Sequence, residues 1–192
     1  MHRPATSPYT HVPTSEAHIV QFYTDDAYLV GSLSQFVCSA LAAGEAVVVV
    51  ATKDHRQRLK KSLHAAHIDL DRVIEEGRYT TMDAAETLEK FMAGPLPDAQ
   101  KFDSIVGSIL RKAQTVVPGQ RVAVFGEMVA LLTEKGNFDG AIRLEQLWNE
   151  LSQRHFFYLR CAYPVRGFRG ERKGEPYSRI CAEHSRVIPA EY

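Results

Sequence analysis

The stretch Ala46-Val47-Val48-Val49-Val50-Ala51 constrains this chain more than any other. It has no polar side chain to turn toward water, so a strand built from it must be covered on both faces. Strands of that kind belong to parallel sheets, whose crossover connections lay helices over the two faces. Gly44 before the run reads as a helix C-terminal signal, and Asp54 after it reads as the cap of the next helix.

The rest of the sequence alternates in the same way. His18 to Tyr23 reads as a first strand, and Thr24-Asp25-Asp26 caps a helix with Leu29, Leu33, Phe36, Val37, Ala40 and Leu41 on one face. Residues 68–76 read as a connector with helical turns. Gly77 precedes a third strand, 78–82, and Asp83 caps a short helix ending at Gly94-Pro95. From Asp98 to Val117 one amphipathic helix is expected. A fourth strand, Val122 to Phe125, breaks at Gly126 and delivers Glu127. Two helices follow, joined at Gly136-Asn137, the second with Leu144, Leu147, Trp148 and Leu151 on one stripe. A fifth strand, 156–162, is stopped by Tyr163-Pro164. An Arg- and Gly-rich loop, a helix near 177–183 and an extended Arg186 to Pro189 finish the chain. This is an α/β fold: a mainly parallel sheet of about five or six strands with helices on both faces. Residues 1–16, with Pro4, Pro8 and Pro13, bury little and read as a flexible segment before a single domain, 17–192.

Several function classes fall away. Lys and Arg together number 23, as do Asp and Glu, so no net charge attracts nucleic acid or an anionic membrane. No apolar run reaches membrane-spanning length, and the N-terminus lacks the build of a signal peptide. Cys38, Cys161 and Cys181 form no even disulfide framework, which fits a cytoplasmic protein. The turn after the first strand has neither Gly nor Lys. It carries Asp25 and Asp26 where a phosphate loop would bind its anion.

The strand ends hold the candidate site residues, because ligands of such sheets bind beyond the carboxyl ends of the strands. They are Tyr23 to Asp26, Thr52 to Asp54, Met82-Asp83, Gly126-Glu127 and Cys161 to Pro164. Glu127 follows a buried strand directly, so its carboxylate must be solvated, bonded or paired. Glu145, on the helix with Trp148 and Asn149, reads either as a surface residue or as a second carboxylate facing the site. Cys181 and His184 share a helical spacing and can meet Cys161 and His18 in a zinc-like set. The spacing alone favours a buried cysteine and a hydrogen-bonded histidine, so no metal or cofactor is expected. No Gly-x-Ser-x-Gly elbow is present. The arginines of the tail, from Arg166 to Arg186, read as a solvated loop.

Taken in order, certain residues resemble the MEDS family, the methanogen/methylotroph DcmR-type sensory domain. They are His18-Ile-Val-Gln-Phe-Tyr23, Gly44-Glu45, Gly77, Arg121 to Met128, Leu144-Glu145 with Trp148-Asn149, Cys161-Ala-Tyr163-Pro164 and His184. The resemblance spans about residues 17–189. It implies a RecA/KaiC-like fold without a phosphate loop, and a non-enzymatic sensor of a small organic ligand such as a hydrocarbon derivative. Its partner would be a histidine kinase or transcriptional regulator. The ligand-binding residues it implies are His18, Tyr23, Glu127, Glu145, Cys161, Tyr163 and His184; Asp25 joins them from its strand-end position in the acidic turn, where it also reads as a plain helix cap. Two alternatives remain beside it: a RecA-like docking scaffold, and an enzyme using Glu127 with Cys161 and His184.

Overall fold

The computed structural model describes residues 17–168 and 174–191. The expected flexible segment, and Arg169, Glu171, Arg172 and Lys173 of the tail, lie outside the described residues. In chain order the elements are β1 (His18–Tyr23), α1 (Asp26–Ala42), β2 (Ala46–Ala51), α2 (Lys53–Ala65), α3 (Leu70–Glu75), β3 (Tyr79–Asp83) and α4 (Ala84–Phe91). A two-residue hairpin, β4 (Met92–Ala93) and β5 (Leu96–Pro97), leads into α5 (Ala99–Phe102) and α6 (Ser108–Val116). Then come β6 (Val122–Gly126), α7 (Met128–Glu134), α8 (Phe138–Ser152), β7 (Phe157–Pro164), α9 (Gly174–Ala182) and β8 (Arg186–Ile188).

The main sheet has the order β3-β2-β6-β7-β1-β8, and its strand pairs are all parallel. From β1 to β3 the chain moves toward one edge; from β3 to β8 it moves back. Right-handed crossovers therefore place the two sets of helices on opposite faces. Helices α1, α2 and α3 pack on Val47, Val49, Ala51, Ala123 and Phe125. Helices α4 to α9 pack on Val48, Val50, Val124, Leu159 and Cys161. The two faces change over between β2 and β6, and the crevice at their carboxyl ends lies at that switch point. This is a RecA-like α/β architecture.

Local chemistry explains most helix starts. The Asp25 carboxylate accepts from the amides of Ala27 and Tyr28, and that of Asp83 from Ala85 and Glu86. Asn137 caps α8 through the Gly140 amide. Helix α2 starts earlier than expected: Thr52, not Asp54, is its cap, accepting from the His55 amide. The long amphipathic helix is divided by a π turn, Asp103–Gly107. The wider turn slows the rotation per residue and keeps Phe102, Val106 and Leu110 on one buried stripe. Strand β7 runs on through Tyr163 and Pro164, because both stay paired to β1 opposite Phe22 and Tyr23. The extended tail becomes the edge strand β8, parallel to β1.

Candidate functional site

The expected site residues divide into two groups, with Asp25 apart from both. Glu127 lies at the switch point, buried to 1% exposure. Its backbone amide donates to Val50 O at 2.9 Å, which extends the β2–β6 ladder by one residue. Its carboxylate accepts the Thr52 amide at 2.8 Å through Oε2 and is bonded to His55 Nδ1 through Oε1. Glu127 occupies the N-cap position of α7 but makes no cap bond there; its charge lies instead against the N-terminus of α2. That end carries positive partial charge, so the position favours an anion. His55 Nε2 lies 3.6 Å from Asp26 Oδ1, and the Tyr23 ring stands edge-on to the imidazole at 6.3 Å. Burial lowers the proton affinity of His55, but the Glu127 carboxylate outweighs it and raises its pKa. Burial, with the Glu127 charge behind it, pushes the Tyr23 phenol upward.

Both Glu127 oxygens are therefore used in joining β2, β6 and α2. Sequence reasoning missed His55, whose neighbours Lys53, Arg56 and Arg58 suggest a solvated face. The signal was its register: His55, Leu59 and Leu63 fall four apart on the buried stripe of α2.

The second group lies under α8 on the opposite face of the sheet. Glu145 is fully buried. It accepts from Tyr163 Oη at 2.7 Å and from the Cys161 thiol at 3.1 Å. His18 Nε2 lies 3.2 Å from its Oε2, and His184 Nε2 3.3 Å from its Oε1. The two imidazole centroids are 4.1 Å apart. Alternation along the strands explains the convergence: Val20, Phe22, Leu159, Cys161 and Tyr163 all point to the α8 face. Burial opposes the charge of Glu145, yet the two imidazoles hold its pKa well below the usual range. Burial and the Glu145 charge push Cys161 and Tyr163 far up. Cys181 is only partly buried and stands outside this set.

Glu127 thus does not join Cys161 and His184, and the catalytic trio of the enzyme alternative is not assembled. Asp25 is exposed and serves as a helix cap. Its amide and that of Thr24 donate to the Glu191 carboxylate at 2.6 and 3.0 Å. The turn after β1 therefore does hold an anion, and that anion comes from the chain's own C-terminal segment.

Two adjoining clefts open elsewhere, between α1 and the strands β1, β7 and β8, with volumes of about 270 and 330 Å3. Ile19, Phe36, Tyr158 and Ile188 give apolar walls, Arg121 and Arg186 line one of the clefts, and Arg160 lies in both. The Arg160 guanidinium stacks over Phe36 at 4.5 Å and reaches Ser32 Oγ at 3.2 Å. Its Nε is buried without a hydrogen-bond partner, as is Nε2 of the adjacent Gln21. Both are donors, so this corner has two N–H groups in want of an acceptor. The sequence signal was a polar residue near the middle of each strand, Gln21 in β1 and Arg160 in β7.

A family model described as MEDS, the MEthanogen/methylotroph, DcmR Sensory domain, matches residues 17–175. Among curated proteins no match was found.

Proposed function

This chain belongs to the MEDS sensory-domain family, and on that premise we propose that it is a non-enzymatic, cytoplasmic signal sensor. Its ligand is a small organic molecule, and its output passes to a partner such as a histidine kinase or transcriptional regulator. Among the described residues no helix is long and apolar enough to cross a membrane.

The observation that carries the ligand assignment is the pair of unpartnered donors, Gln21 Nε2 and Arg160 Nε, beside a cleft that combines apolar walls with Arg121, Arg160 and Arg186. A buried donor without an acceptor costs about 1–3 kcal/mol, which a ligand oxygen recovers on binding. Apolar walls with a few convergent polar groups suit a short hydrocarbon body carrying a carboxylate or similar acceptor. The strand-end residues are less suited to first contact. Glu127 spends both oxygens on the protein, and the Glu145 group is enclosed.

The test is a thermal-shift panel of short carboxylic acids, alcohols and ATP on wild type, Arg160→Met and Glu127→Ala. A ligand at 100 times its Kd adds about 2.7 kcal/mol of stability. Wild type and Glu127→Ala should respond to an acid that leaves Arg160→Met unmoved. A response lost in Glu127→Ala and kept in Arg160→Met would move the site to the strand ends. A panel that moves nothing while ATP raises Tm would sink the sensor reading.

A further inference from the structure

We propose that His18, Glu145, Cys161 and His184 form a zinc-binding site that ties β1, β7 and α8 to the segment leading into β8. The proposal is independent of the organic-ligand cleft. One ligand atom from each of the four residues falls within a set no more than 4.8 Å across. Usual zinc bond lengths give a tetrahedron with edges of roughly 3.3–3.6 Å. The contacts here are 3.2 Å for His18 Nε2 to Glu145 Oε2 and 3.1 Å for Cys161 Sγ to Glu145 Oε2. The third contact through these atoms is 3.5 Å for His18 Nε2 to Cys161 Sγ, and His184 Nε2 lies 3.3 Å from the other carboxylate oxygen, Glu145 Oε1, within the same 4.8 Å set.

The outer hydrogen bonds fix the tautomers that a metal requires. His184 Nδ1 lies 2.7 Å from Ile180 O. A carbonyl only accepts, so the proton is on Nδ1 and the lone pair of the neutral ring is on Nε2. Asn149 Nδ2 donates to Glu183 O at 3.0 Å, which leaves Oδ1 facing His18 Nδ1 at 2.8 Å. His18 is therefore also protonated on Nδ1. Each histidine donates its outer N–H to a carbonyl oxygen and aims Nε2 inward, the usual second-shell arrangement of metal-bound imidazoles. The His184 side chain has no solvent exposure, and its Nε2 has no hydrogen-bond partner. Tyr163 Oη holds Glu145 Oε1, which orients the carboxylate.

Charge supports the same assignment. A divalent cation with one carboxylate and one thiolate is neutral overall, which suits a buried position. Two imidazoles, a thiolate and a carboxylate favour zinc over magnesium or calcium, which prefer oxygen alone. Four protein ligands leave no open position for water, so the site is a clasp and not a hydrolytic centre. The spacing that suggested zinc from sequence used Cys181; the structure replaces it with Glu145.

The experiment strips the full chain with a chelator, verifies its fold by circular dichroism, and titrates it with zinc and with cobalt(II). Expected are one equivalent of zinc by mass spectrometry, a rise in Tm, and a cobalt spectrum with tetrahedral bands and a thiolate charge-transfer band. Cys161→Ser should remove the charge-transfer band, and His184→Gln should weaken binding at least tenfold. Stripped, folded wild type that takes up no stoichiometric metal overturns the proposal, as does cobalt bound without thiolate charge transfer. The wild-type measurements decide the matter even if a variant fails to fold.

Discussion

The link between Glu127 and His55 allows a stability measurement whose pH dependence is set by the geometry. Two substitutions separate its parts. Glu127→Ala removes the acceptor of both the Thr52 amide and His55 Nδ1 at a position with 1% exposure. Removing one partner of a buried pair costs about 3–5 kcal/mol. For a domain of this size that is a fall in Tm on the order of 10 °C. Glu127→Gln keeps the volume and an acceptor for Thr52, and loses only the charge-assisted bond to His55, about 1.5–3 kcal/mol. The His55 pKa is raised in the folded protein, because the nearby carboxylate outweighs burial. A raised folded-state pKa contributes stability that is fully present below the unfolded value of about 6.5. It is lost as pH rises through the folded value. Urea denaturation at pH 6, 7.5 and 9 should therefore show the wild type exceeding Glu127→Gln most at pH 6. The gap should narrow toward pH 9. A gap that is constant, or that widens with pH, would refute the assignment of His55 as the protonated partner.

Three further outcomes follow from single contacts. Trp148 is buried between Phe102 and Phe157, with ring centroids at 5.1 and 5.9 Å. Trp148→Ala should cost about 3–5 kcal/mol by calorimetry or denaturant titration. Gly77 has φ +71°, and a Cβ there would stand 3.1 Å from Val116 Cγ2. Gly77→Ala should therefore lose about 1–2 kcal/mol from the backbone conformation alone, read as a lower urea midpoint. Glu191→Ala frees the Thr24 and Asp25 amides, so their hydrogen exchange should accelerate while that of Phe22 in β1 stays slow.

The sequence made the layers legible because they follow from what each segment can bury. The run Ala46–Ala51 admits only a central strand. Arg121 to Asn149 carries its own turn chemistry at Gly126 and at Gly136-Asn137. Strand order was not legible, because the pairing of β2 with β6 rather than β1 depends on crossovers that no local pattern records. Strand β8 was read only as extended chain: three residues, two exposed and Ile188 half-buried, are too few to carry an alternation that marks them. In the site, Glu145, Cys161, Tyr163, His18 and His184 were each singled out from sequence. Their separation from Glu127 was not, since it depends on which face each side chain takes. Glu127 leaves its strand end toward Thr52 and His55, whereas Cys161, paired opposite Gly126, points to the other layer.

Strand β8 is where the two proposed sites meet, and that gives a final prediction. It is joined to the sheet through three residue pairs with β1, and its Val187 is 38% exposed. Elements with so few contacts open at low free energy, well below global unfolding. The clefts take Ile188 as a wall, while His184 lies two residues before the strand, held by Ile180 O and facing Glu145. A ligand in the cleft and a zinc ion at the clasp therefore each add contacts at one end of the same weak strand. A ligand can shift only an equilibrium whose two states it binds differently, and the docking of β8 is such an equilibrium. Amide exchange followed by mass spectrometry should show the 186–188 segment exchanging far faster than β6 in the apo protein. Zinc should slow it in wild type but not in Cys161→Ser, and an organic acid should slow it in wild type but not in Arg160→Met. If the apo segment already exchanges as slowly as β6, the strand has no open state to bias. The proposed output must then use another surface.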